Sequence, residues 1–83
     1  MVAIDQEKAR LNYAVDEFAA AMKKRLFEKA DTGYAGWDGN TPVEQIENEI
    51  GKDVGVLRKN LLSSQLPVDI ANRSMMIWVR NQD

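Results

Sequence analysis

The residues of this chain whose types and spacing could do chemistry lie near its end, in Leu66-Pro67-Val68-Asp69-Ile70-Ala71-Asn72-Arg73-Ser74-Met75-Met76-Ile77-Trp78. One carboxylate and one carboxamide, Asp69 and Asn72, stand three residues apart among apolar neighbours, a spacing that puts them on one helix face. Polar groups turned toward a core must find partners in the protein, in water, in a metal ion or in a ligand. The chain has no histidine and no cysteine, so the commonest general base and all thiolate chemistry are excluded. A metal here must be held by oxygen. Each candidate has a plain reading beside its functional one. Asp69 is either ligand-facing or an acid near a helix N-terminus, favourable to the macrodipole. Asn72 either orients a ligand or bridges helices. Trp37 either stacks on a base, worth roughly 1–3 kcal/mol, or closes a small core. The run Lys23-Lys24-Arg25 either attracts phosphate or is a solvated face.

The elements that position these groups must come from one small unit. With 83 residues, residues 1–83 form a single domain, and so short a chain buries proportionally little of its surface. There are 11 basic and 13 acidic residues, well mixed, for a net charge of −2. That balance argues against broad electrostatic binding to nucleic acid. No apolar run has the length of a membrane span, and Met1-Val2-Ala3-Ile4-Asp5-Gln6 lacks the pattern of a signal peptide. The expected location is the cytoplasm, without membrane contact.

The fold expected is all-α, with helices over about 4–30, 42–62 and 67–81. In the first, Ile4, Leu11, Val15, Phe18, Met22 and Leu26 recur along one stripe, and Tyr13, Ala20 and Phe27 form a weaker stripe behind. The segment from Asp31 to Asn40 holds three glycines with Tyr34 and Trp37, a loop anchored against the helices. Thr41-Pro42-Val43-Glu44 reads as a capping box, with Thr41 as N-cap and Glu44 reaching back. The second helix buries Val43, Ile46, Ile50, Val54, Leu57 and Leu61. A short link, Ser63-Ser64-Gln65, makes the third helix its antiparallel neighbour. That helix carries Pro67 in its first turn and Val68, Ala71, Met75, Trp78 and Val79 on one side, with Ile70 and Ile77 on the other. Apolar residues on both sides predict a helix covered twice, and so a dimer or larger assembly completing a helical bundle.

Phe18, Met22 and Leu26, Gly36-Trp37, a helix ending in Val54-Gly55-Val56-Leu57, then Asp69-Ile70-Ala71-Asn72 with Met75-Met76-Ile77, taken in this order, resemble the MazG-like family, closest to its short bacteriophage members. The resemblance spans Phe18 to Trp78. It implies an all-α oligomer whose active forms cleave nucleoside triphosphates to monophosphate and pyrophosphate, with Glu-x-x-Glu and Glu-x-x-Asp pairs holding Mg²⁺. Aligned on Val54-Gly55-Val56-Leu57, the first pair falls on Asp53 and Val56, and the second on Leu66 and Asp69. Only Asp53 and Asp69 remain as metal-binding oxygens. An alternative register uses Glu44 and Glu47, with Glu44 pointing away from the buried stripe. Arg73, beside Asp69, offers a guanidinium where a cation would sit. The resemblance thus implies a degenerate enzyme that binds or sequesters a phosphate-bearing nucleotide through Asp69, Asn72, Arg73, Trp37 and Lys23, interfering with host nucleotide signalling or defence. The alternatives are an active Mg²⁺-dependent pyrophosphohydrolase and an inhibitor that binds a host protein through a helical face.

Overall fold

A computed structural model describes residues 2–82, of which Val2 is placed by its backbone. Three helices follow one another, α1 (Val2–Asp31), α2 (Val43–Lys59) and α3 (Gln65–Arg80), and no strand occurs among the described residues. The all-α expectation holds. Among the same residues no helix is long and apolar enough to cross a membrane.

α1 stops where the backbone turns left-handed, a conformation that glycine adopts without steric cost. Gly33 has φ +91°, its N–H donates to Ala30 O at 2.9 Å, and the N–H of Tyr34 donates back to Lys29 O at 3.0 Å. This is a Schellman ending, which satisfies carbonyls the last turn would leave bare. It also turns Tyr34 under the helix, where the Lys29 ammonium stands 5.6 Å from its ring centroid.

α2 starts differently from the sequence expectation. Its N-cap is Pro42, extended at φ −61° and ψ 141°, with no side-chain capping bond. The reason lies one residue earlier: the Thr41 N–H already donates to Gly36 O at 2.8 Å, so Glu44 has no donor to reach back to and stays exposed. The Thr41 carbonyl in turn accepts from Arg80. α2 also ends early, at Lys59, with Asn60 as its C-cap. Leu61 and Leu62 therefore leave the helix and are exposed, against the expectation that Leu61 is buried. Val54 is likewise exposed, whereas Ile46 is buried and Val43, Ile50 and Leu57 are half-buried.

α3 lies between the other two and packs against both. Its first turn is held by Ser63, whose Oγ accepts the Leu66 N–H at 3.2 Å. It runs antiparallel to α2, since Arg80 at its end reaches Thr41 at the start of α2. The buried residues of α3 are Val68, Asp69, Asn72 and Met76. Ala71 and Met75 are only half-buried, Val79 is exposed, and Trp78 is 64% exposed. The expected face was therefore rotated: apolar content alone pointed to Trp78, but contact with α1 turns the Asp69–Asn72–Met76 face inward. The two-sided cover that suggested a partner is supplied within the chain by α1 and α2.

α1 meets α3 only through its second half. Met22 and Leu26 are half-buried, while Ile4, Leu11, Val15 and Phe18 of the same stripe, and Tyr13, Ala20 and Phe27 behind it, are exposed. The radius of gyration is 15.2 Å and the extents are 48 × 36 × 24 Å. A compact chain of this length would have a radius near ~12 Å, so the molecule is a small body with a helical arm.

Candidate functional site

Asp69 and Asn72 do share a buried face, at 6% and 2% exposure. Their partners come from α1. Arg25 Nε donates to Asp69 Oδ1 at 3.0 Å, and Lys29 Nζ stands 3.8 Å from the same oxygen. One buried carboxylate thus holds two cations four residues apart, one turn of α1. Glu28, half exposed, lies 4.0 Å from Arg25 and balances part of that excess. Asn72 Nδ2 donates to Met22 O at 3.2 Å, whereas its Oδ1 is buried with no hydrogen-bond partner. Leaving a buried acceptor unpaired costs roughly 1–3 kcal/mol. Such an atom is a place where a ligand or water donor fits.

Arg73 turns the other way, to α2. It pairs with Asp53, and its second nitrogen lies 4.0 Å from Glu49. Both members of the Arg73–Asp53 pair are largely buried in the α2–α3 seam, with side-chain exposures of 18% and 17%. The guanidinium is therefore engaged by two carboxylates and is not turned toward Asp69's partners on α1. Lys23 is exposed and pairs with no carboxylate among the described residues, as does Lys24. Of the basic run only Arg25 points into the molecule.

Trp37 is half-buried and lines an apolar cavity of about 230 Å³ with Leu26, Phe27, Ala30, Tyr34, Met75 and Met76. Met76 lies one turn beyond Asn72 on the buried face of α3, so cavity and polar pair adjoin. The Tyr34 hydroxyl donates to Met76 Sδ at 3.9 Å. Arg80 fixes the loop from outside, donating to the carbonyls of Trp37, at 3.2 Å, and Thr41. These contacts bear out the expectation of an anchored loop.

A divalent cation needs several oxygens turned to one point. Asp69 and Asp53 instead face separate cations, and no group of three or more carboxylates, histidines and cysteines converges among the described residues. Glu44 and Glu47 of the alternative register are both exposed on α2. As arranged, these residues do not fit Mg²⁺, because Arg25, Lys29 and Arg73 already supply its positive charge.

The site therefore joins Asp69, Asn72 and Trp37 and leaves out Arg73 and Lys23. It keeps Arg25 of the basic run and adds Lys29 and Tyr34. The signal for the two cations was present in the chain: Met22, Arg25 and Lys29 continue the three-four spacing of the apolar stripe, so the stripe becomes basic where Asp69 meets it. No family model, curated protein or solved structure matches the chain.

Proposed function

We propose that this chain is a small MazG-like module that binds a phosphate-bearing nucleotide without hydrolysing it. The observation that carries this reading is the pairing of two cations on one buried carboxylate beside an apolar cavity walled by Tyr34 and Trp37. The cavity, about 230 Å³, exceeds the ~150 Å³ that suffices for a benzene ring, and aromatic walls suit a base in stacked geometry. Lys29 sits over the Tyr34 ring at the rim, where its charge and that of Arg25 favour phosphate. Asn72 Oδ1 offers a buried side-chain acceptor with no partner among the described residues.

In this reading the ancestral carboxylates serve the fold. Asp69 positions Arg25 and Lys29, and Asp53 fixes Arg73. Assembly into a dimer or tetramer, sequestration of a signalling nucleotide and a role in a bacteriophage-infected cytoplasm belong to the same proposal, supported by the resemblance and by the exposed half of α1.

Titration with nucleoside mono-, di- and triphosphates tests it. In a Trp78→Phe protein, Trp37 is the only tryptophan. Its emission is quenched by a bound nucleotide, and Lys29→Met weakens binding about tenfold or more, in proportion to the number of phosphates. No change with any nucleotide at millimolar concentration rejects the reading. Mg²⁺-dependent release of pyrophosphate that Asp69→Ala abolishes would instead establish the hydrolase.

A further inference from the structure

One seam runs the whole length of α1. Ile4, Lys8, Leu11, Val15 and Phe18, then Met22, Arg25 and Lys29, follow one another in strict alternation of four and three residues. This is the spacing of a helix that packs lengthwise on another. In the second half the seam is occupied: Met22 O receives Asn72, and Arg25 and Lys29 receive Asp69, all from α3. In the first half it meets no other helix among the described residues, and Leu11 and Val15 are 56% and 63% exposed. An apolar face of this kind, continuous with an interface already formed, calls for another helix.

We infer that the occupant is the same segment of a second copy, lying antiparallel, with Leu11 against the partner's Val15. The seam is self-complementary in this register. Phe18 falls opposite the partner's Lys8, whose methylene stem covers the ring while its ammonium stays in water. Ile4 falls on the part of the partner's Met22 that α3 leaves uncovered. Beside the seam, Asp5 and Glu7 face the partner's Ala19 and Ala21, so no like charges meet and the small side chains permit close approach. A parallel pair would set Lys8 against the partner's Lys8. It would also crowd two folded bodies, each built on the second half of α1, at one end of the pair. Antiparallel pairing places them at opposite ends.

This arrangement is isologous, the commonest closed symmetry. It also brings each copy's first turns to the partner's Met22, the residue whose carbonyl anchors Asn72. The inference rests on the assembly part of the proposed reading and is independent of the nucleotide's identity.

Sedimentation equilibrium of the whole chain decides it. The unaltered protein sediments at twice the 9.4 kDa chain mass. Leu11→Lys and Val15→Glu each sediment at the single-chain mass, with the helical circular dichroism signal retained because both side chains are already exposed in one copy. An equimolar mixture of the two variants regains the double mass, since antiparallel pairing sets the new lysine against the new glutamate and leaves one Leu11–Val15 contact intact. Variants that keep the double mass, or a mixture that stays monomeric, overturn this pairing and leave other assemblies open to the chain. A single-chain mass for the unaltered protein overturns the pairing and the proposed assembly together, while the Trp37 titration reports separately on the nucleotide.

Discussion

At the scale of single residues, the chemistry turns on how buried charges are matched. Asp69 pairs with two cations whose side chains are themselves mostly covered, Arg25 at 31% and Lys29 at 20% exposure. Asp69→Ala removes the one carboxylate paired with Lys29 among the described residues and leaves Arg25 with the exposed Glu28 alone. Breaking one side of a buried pair costs about 3–5 kcal/mol, and the partial exposure of Arg25 and Lys29 lowers this to roughly 2–3 kcal/mol, read as a drop in the urea midpoint at unchanged m-value. The Arg73–Asp53 pair serves packing in the α2–α3 seam, not ligand contact. Arg73→Met alone is expected to cost about 1–3 kcal/mol by stranding Asp53, and the double change with Asp53→Leu recovers most of that loss, because an apolar pair of similar volume replaces a buried ion pair at little net cost. A double-mutant cycle in urea measures it. Neither change in the seam should alter Trp37 quenching by nucleotide.

At the scale of elements, the loop between α1 and α2 is the part that brings an aromatic wall to the site. It depends on Gly33, whose φ of +91° is costly for any residue with a Cβ. Gly33→Ala meets no neighbour within 4 Å, so its effect is backbone strain alone, about 1–2 kcal/mol, measurable as a fall in melting temperature. Thr41→Ala should by contrast cost less than ~0.5 kcal/mol, against the ~1 kcal/mol of a working N-cap, because the Thr41 hydroxyl caps nothing and its backbone holds the contacts that matter. The pair of measurements separates a backbone-built loop from a capping box. Arg80 is the other structural key to this loop, since it ties the carbonyls of Trp37 and Thr41 to the last turn of α3.

At the scale of the whole molecule, the shape follows from a 30-residue helix of which only half is packed. Among the described residues the buried hydrophobic side chains are Ile46, Val68 and Met76, few for a domain that must offset the conformational entropy of its chain. A partner along the open half of α1 adds the missing apolar contact. The melting temperature of the unaltered protein is therefore expected to rise with protein concentration, as mass action requires when association stabilises only the folded form, and that dependence disappears in Leu11→Lys.

Much of this was legible in the chain itself. The stripe of α1, the glycine-rich break after Asp31 and Pro67 in a first turn gave three helices within a few residues of their bounds. The three-residue spacing of Asp69 and Asn72 gave their common burial. These features depend on neighbours in sequence, which a helix of 3.6 residues per turn translates directly into faces. Which of those faces meet was not legible. The apolar stripe read on α3 ran through Trp78 and Val79, and the capping pattern at Thr41 looked complete, yet α1 rotated the first and Gly36 took the donor the second required. Arg73 sits next to Asn72 in sequence but binds across to α2, and the cations of Asp69 come from Arg25 and Lys29, forty or more residues away. Sequence by itself determined the helices and the polar pair at their centre, because periodicity is local. Only the tertiary structure decided which charges answer that pair and which half of α1 is left open, because both depend on contacts between segments far apart along the chain.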